Sequence, residues 1–470
     1  MKRSKNLSSL LFLFLIAFLT FLITSVEARK NHTKKSKPHK HHQGKGATSG
    51  NRTHNSHLPG PAPAPPQPQQ STIFPVLSFG AKGDGVSDDS KALVAAWEAA
   101  CRVKGATVEI PSGFKFLIQP ITLDGSGCMP DLVLQIDGTL LAPSKASTWP
   151  ESSLFQWINF KYARNFTIQG TGIVDGQGSD WWNSSAHKRS KHTPDTKPTA
   201  LRFYFSSDVT VRNIKIINSP QCHLKFDNSS WIKVNNITIT SPDYSPNTDG
   251  IHLQNTQNVE IHHSTIGCGD DCVSIQTGCS NVHIHHVKCG PGHGISLGGL
   301  GKAGSVACVS NIIVNNILFQ NTQSGVRIKT WPGGKGSVKN VSFSNIQVSN
   351  VGVPIVIDQN YCDNMKKHLC QNQIRGAVAI SGVKFDNIIG NYSKEPIRLA
   401  CSNDTPCTDV DLIDIRLKPT TGDPRSLRSD LCRNSYGKSK APLLPSVIDY
   451  CLRRDGGQVK HIARSHEKMC

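Results

Sequence analysis

The sequence predicts an all-β fold, a parallel solenoid closed at its N-terminal end by a helical cap. Three observations point there. A short strand phrase recurs along the chain, its period is mostly 23–30 residues, and long helical patterns are missing from the middle of the chain.

The phrase is apolar–x–apolar, trailed by Asn or a similar residue. It stands at Phe166-Thr167-Ile168, Val209-Thr210-Val211, Ile232-Lys233-Val234, Val259-Glu260-Ile261 and Val282-His283-Ile284. It continues at Ile312-Ile313-Val314, Val341-Ser342-Phe343, Val383-Lys384-Phe385 and Val410-Asp411-Leu412. From Val209 the steps are 23, 27, 23, 30, 29, 42 and 27 residues. Each unit alternates as a strand with one buried face must. Antiparallel sandwiches also contain many short strands, but a period this long favours a coil of parallel ones. Asn213, Asn236, Asn316, Asn345 and Asn387 follow the phrase at a similar offset, so they are expected to stack as an internal amide ladder. That role is structural.

Taken in chain order, residues 1–28 read as a secretory signal peptide. Lys2, Arg3 and Lys5 precede an apolar run over 10–23, followed by Val26-Glu27-Ala28. An uncleaved anchor is the rival reading. The strongly apolar core is short, so no stable membrane insertion is expected. Residues 29–71 are first rich in Lys, His and Asn and then in Pro and Gln, the composition of a disordered tail and linker. His39, His41 and His42 are read there as part of a solvated basic tail. The folded body is expected over 72–455, with 456–470 as a C-terminal tail. It should open with a strand over 76–79, a glycine-rich turn over 80–85 and a helix over 91–101. Ser87-Asp88-Asp89-Ser90 offers capping side chains, and Leu93, Ala96, Trp97 and Ala100 form the apolar face of the cap.

Charge and cysteine narrow the function. Lys and Arg number 52 against 33 Asp and Glu in 470 residues. Residues 1–58 hold eleven of the basic residues and one acid, so the rest of the chain still carries an excess of nine. A cationic body suits a polyanionic partner. Nucleic acid, an anionic membrane and an acidic polysaccharide all fit on charge, and secretion argues against nucleic acid. Fifteen Cys fit disulfides formed in an oxidising compartment, and the odd number leaves at least one thiol over. Ten Asn-x-Ser/Thr sites, among them Asn51, Asn183, Asn228 and Asn403, permit glycosylation.

Three landmarks carry chemistry: Ser245-Pro246-Asn247-Thr248-Asp249-Gly250, Gly267-Cys268-Gly269-Asp270-Asp271-Cys272 and Gly292-His293-Gly294. Asp249 to Asp271 is 22 residues, and Asp271 to His293 is 22 again. One turn of the coil is about that long, so the groups should stack on neighbouring rungs about 4.8 Å apart. Arg327 and Lys329, two apart on a strand, share a face. Tyr361 follows at the corresponding edge of the next strand. Taken singly, each piece is an ordinary turn, surface charge or structural histidine. Together, carboxylates beside cations in one groove describe a site that hydrolyses an acidic sugar polymer. A metal reading of His283, His285 and His286 is disfavoured, because strand side chains alternate faces.

These four motifs, with Arg327-Ile328-Lys329 as the fourth, resemble the polygalacturonases of glycoside hydrolase family 28, the plant members above all. They stand in the family's order, and Phe79-Gly80-Ala81-Lys82-Gly83-Asp84-Gly85 matches too. The resemblance covers about residues 72–455. It implies a right-handed parallel β-helix formed by one chain, and hydrolysis of α-1,4 galacturonosyl links in pectin with inversion. It implies Asp270 as the general acid, Asp249 and Asp271 as the groups that hold and activate water, and His293 as the tuner of their protonation. Arg327, Lys329 and Tyr361 would bind substrate, and Asn247 would contact substrate or orient Asp249. It suggests the pair Cys272–Cys289 and, as similar guesses, Cys401–Cys407 and Cys101–Cys128. No cofactor or metal is required, and a monomer secreted to the cell wall is expected. Inversion asks for an acid and a base roughly 6.5–9.5 Å apart, which stacked rungs can supply. A pectate lyase on a similar coil is one rival, and its products would be unsaturated. A non-catalytic pectin-binding wall protein is the other, but it would lack one of the aspartates.

Overall fold

The strand phrases form one continuous ladder. Phe166 pairs with Val209, and the register runs on through Ile232, Val259, Val282, Ile312, Val341, Val383 and Val410. Every strand pairing in it is parallel, and these residues are buried. The computed structural model describes residues 72–150, 155–182, 197–362, 376–420 and 431–446, with 448, 452, 469 and 470. The expected signal peptide, the tail and linker, and most of 456–470 lie outside the described residues. Among those described, no helix is long and apolar enough to cross a membrane.

Two parallel ladders, of 20 and 11 strands, make the walls of the right-handed β-helix that the sequence implied. Because successive side chains point to opposite faces, every second residue enters the coil and meets its equivalent one rung away. Phe160, Phe203 and Phe226 form such a column, with ring centroids 4.8 and 5.0 Å apart. The helix Ser90–Ala100 closes the N-terminal end and buries Leu93, Ala96, Trp97 and Ala100. Trp97 lies 5.9 Å from Phe160 and 5.2 Å from Phe166, and its indole N–H donates to the Asp124 carbonyl at 2.9 Å.

Three local expectations need correction. Residues Val76–Phe79 form a turn of 3-10 helix rather than a strand. The strand is Ile73–Pro75, after which the chain coils until Gly80 caps it at φ 93°. At the cap, the Asp88 carboxylate accepts from the Ser90 amide at 3.0 Å, whereas Asp89 turns away to accept from the amides of Lys82 and Gly83. The Asn ladder is external. Asn213, Asn236, Asn316, Asn345 and Asn387 all lie at φ of 50–64°; the first four are exposed and Asn387 is half-buried. A left-handed residue turns the chain at each corner of the coil, and Asn tolerates that conformation better than most. Amides still bond across rungs where geometry allows, Asn236 to Asn213 and Asn387 to Asn345 at 3.0 Å each.

All three suggested disulfides are present, Cys101–Cys128, Cys272–Cys289 and Cys401–Cys407. A fourth joins Cys308 to Cys470 and so ties the last residue to the coil. Among the described residues Cys222, Cys268 and Cys279 are free and buried.

Candidate active site

The 11-strand ladder displays the site on its outer face. His252, Ser274, Ser296 and Arg327 pair in successive register, one per rung. The turns that lead into those strands carry the acids. Ile251, Val273 and Ile295 are register partners, which puts Asp249, Asp271 and His293 at the same place on three consecutive rungs. The repeated 22-residue step predicted this.

Sequence explains why these turns hold their shape. A side chain at Gly269 would sit 1.9 Å from the Ser245 carbonyl oxygen, so only glycine lets Asp270 and Asp271 approach the turn before them. Gly294, at φ 93°, is pressed in the same way against the backbone of Ser324 and Gly325. Thr248 is fully buried and accepts from the Gly269 amide at 3.0 Å, bracing the two acidic turns together. The Cys272–Cys289 bond fastens the second turn to the coil directly behind Asp271.

The three carboxylates have different partners. Asp271 is nearly sealed. Its Oδ1 accepts from the Ser296 hydroxyl at 2.7 Å and from Arg327 Nη2 at 2.6 Å, and its Oδ2 meets Lys329 Nζ at 3.0 Å. Burial alone would raise its pKa, but Lys329 and Arg327 outweigh that and hold the carboxyl well below the usual range. Asp249 shows the reverse. Burial raises its pKa, helped by the charges of Asp270 and Asp271, and a hydrogen bond from His252 only partly opposes the rise. Asp270 is the most exposed of the three. Its Oδ1 lies 2.9 Å from His293 Nδ1 and accepts from the Asp271 amide at 2.8 Å. Ligand-type atoms of Asp270, Asp271 and His293 all fall within 4.8 Å of one another.

Arg327, Lys329 and Tyr361 join the same site. Lys329 Nζ stands 5.3 Å from the Tyr361 ring centroid, and Tyr361 packs edge-on against Trp331 at 5.8 Å. Burial of Lys329 changes its expected part, for it is first of all a partner of Asp271. Asn247 is exposed at φ 59° in its turn. It is His252, not Asn247, that orients Asp249, with Nδ1 2.8 Å from Oδ2. Sequence reasoning missed His252 and Ser296. Both follow a landmark by three residues, Asp249 and His293 respectively, and that offset was the available signal.

The groove continues past the acids. Two rungs before Ser274, Lys225 Nζ lies 3.6 Å from Asp227, and Arg202 reaches the same carboxylate at 2.6 Å. Here, as at Asp271, two cations share one carboxylate and leave a net positive charge.

Comparison with known proteins agrees with this geometry. The family model described as Glycosyl hydrolases family 28 matches residues 101–436. A probable polygalacturonase of Arabidopsis thaliana is 38% identical over 375 residues, covering 79% of this chain and 83% of its own. A polygalacturonase of Malus domestica is 41% identical over 342 residues, covering 72% and 73%. The solved structure of a polygalacturonase from Erwinia carotovora ssp. carotovora superposes with a TM-score of 0.61 at 26% identity, over 75% of this chain and 94% of that one. Motif order, stacked acids and similarity along most of the folded body converge, and the chain belongs to glycosyl hydrolases family 28.

Proposed function

We propose that this chain is a polygalacturonase, secreted to the cell wall, that hydrolyses α-1,4 links between galacturonic acid units of pectin with inversion. One observation carries the reading most directly. Three carboxylates of unlike partnership, on two neighbouring rungs, lie beside two cation clusters on one face of the coil.

Asp270 is the general acid. It protonates the departing glycosidic oxygen, and His293, with Nδ1 2.9 Å from Oδ1, holds the carboxyl in place for that transfer. Asp249 takes the proton of the attacking water. Its raised pKa makes it the stronger base, and Oδ1 is left for water while His252 occupies Oδ2. Asp271 stays ionised and fixes Arg327 and Lys329, whose surplus positive charge draws the substrate carboxylate against the Tyr361 ring. Asn247, exposed on the rim, adds a polar contact to the sugar. Protonating the leaving group while water attacks from the other side is the inverting course.

The test is release of reducing ends from polygalacturonate by the purified secreted chain and by its Asp270→Asn variant. The parent should cut. The variant should lose at least about 10²-fold in kcat, the scale of a general acid, with an unchanged melting temperature. Cutting by both at similar rates overturns the assignment of Asp270, and cutting by neither overturns the function.

A further inference from the structure

A second site sits on the other wall. On most rungs the left-handed corner of the coil is Asn, but on two consecutive rungs it is His263 and His286, at φ 50° and 53°. The residues before them, His262 and His285, are register partners. Four imidazoles thus form a two-by-two array. His262 lies over His285 with centroids 5.0 Å apart and planes 4° from parallel, and His263 lies over His286 at 4.9 Å and 2°. Within each rung the two Nδ1 atoms face each other, at 2.8 Å in one and 2.9 Å in the other. A fifth ring, His283, is 4.4 Å from His285, and its buried Nε2 has no hydrogen-bond partner.

An amide ladder is self-sufficient, because each carboxamide donates to one neighbour and accepts from the next. Stacked imidazoles are not. A neutral ring has one donor and one acceptor in its own plane, and nothing to offer the ring above it. Glu260 supplies another mark of a metal site. Its Oε1 is 3.4 Å from His285 Nε2, and its other oxygen is held by Lys233 Nζ at 3.2 Å. A carboxylate on one ring nitrogen keeps the hydrogen there and frees the lone pair of the other, as is usual for a histidine that binds a metal. The Nδ1 spacing also fits. Two ligands at right angles, each about 2.0 Å from an ion, are about 2.8 Å apart. Right-angle ligation by nitrogen is the habit of Cu(II) and Ni(II) more than of tetrahedral Zn(II).

We propose that His262, His263, His285 and His286 form a binding site for a divalent copper-type cation, unrelated to hydrolysis. The two nitrogens of one rung ligate directly, and tilt of the stacked rings on the next, of which only the corner ring is exposed, brings in the others. The alternation that argued against a metal on this stretch fails at the corner, where His286 leaves the strand conformation. The array belongs to the 20-strand ladder, whereas the acids face outward from the 11-strand one.

Calorimetric titration of the chelator-stripped, full secreted chain with CuCl2, and in parallel NiCl2, tests the site. His39, His41 and His42 are a second source of imidazole, so an H39N/H41N/H42N chain is the reference. It should bind one ion, with nitrogen hyperfine splitting in the Cu(II) spin-resonance spectrum. Adding H262N/H285N should weaken binding at least about tenfold and leave polygalacturonate hydrolysis unchanged. Adding H263N/H286N, which installs the residue that other corners carry and so keeps the fold, should do the same. No saturable ion in the reference chain, or undiminished affinity in either folded variant, overturns the proposal.

Discussion

Asp249 and Asp271 have the same side chain, one rung apart, and their neighbours drive them in opposite directions. Asp271 has two cations and a hydroxyl, and Asp249 has one imidazole and two nearby acids. His252 is therefore the positioning residue to test. Its hydrogen bond lowers the Asp249 pKa, so His252→Ala should raise it. The base is then protonated at higher pH, and the acid-side limb of the kcat/KM profile should move up in pH. A uniform loss at every pH, without that displacement, would mean His252 only supports the fold. Lys329 makes a different prediction. Removing one partner of a buried ion pair is strongly destabilising. Lys329→Ala should cost about 3 kcal/mol at neutral pH, read from denaturant unfolding, as well as weakening substrate binding. Asp271 is depressed in the fold, so its stabilisation is full above the unfolded carboxyl pKa, near about 4, and lost as pH falls through the folded value. The gap between parent and variant should accordingly narrow below about pH 4.

The strands were legible because burial inside a coil leaves a simple trace. Val209, Ile232, Val259 and Val282 had to alternate with polar neighbours and recur once per turn, and they are register partners. The acids were legible for the same reason, since 22 residues is one turn and the step repeats. Corners were not. Asn213 and its counterparts carry the right period, but period alone does not say whether a residue points in or out. The left-handed φ that turns them outward leaves no mark in apolar alternation. His252 escaped because its link to Asp249 depends on how the turn delivers the strand Ile251–Gln254, which three residues of spacing do not reveal. The N-terminal cap is the element whose role is easiest to measure. Trp97 fills the end of the phenylalanine column. Trp97→Ala should cost about 3–5 kcal/mol by leaving a cavity there, seen as a lower guanidinium midpoint. Little change in that midpoint would mean the cap is dispensable.

At the scale of the molecule, a coil of parallel strands acts as a ruler. It sets chemical groups at rung intervals along one face, which suits a polymer that also repeats. Along that face two clusters each pair two cations with one acid. Inversion needs that face to hold a water beside the base, on the opposite side of the sugar from the acid. Proton NMR of galacturonate oligomers during the first turnovers reads this directly, before the new ends mutarotate. Inversion of an α link predicts that the β anomer of the new reducing end appears first. Initial release of the α anomer, or of unsaturated products, would contradict it.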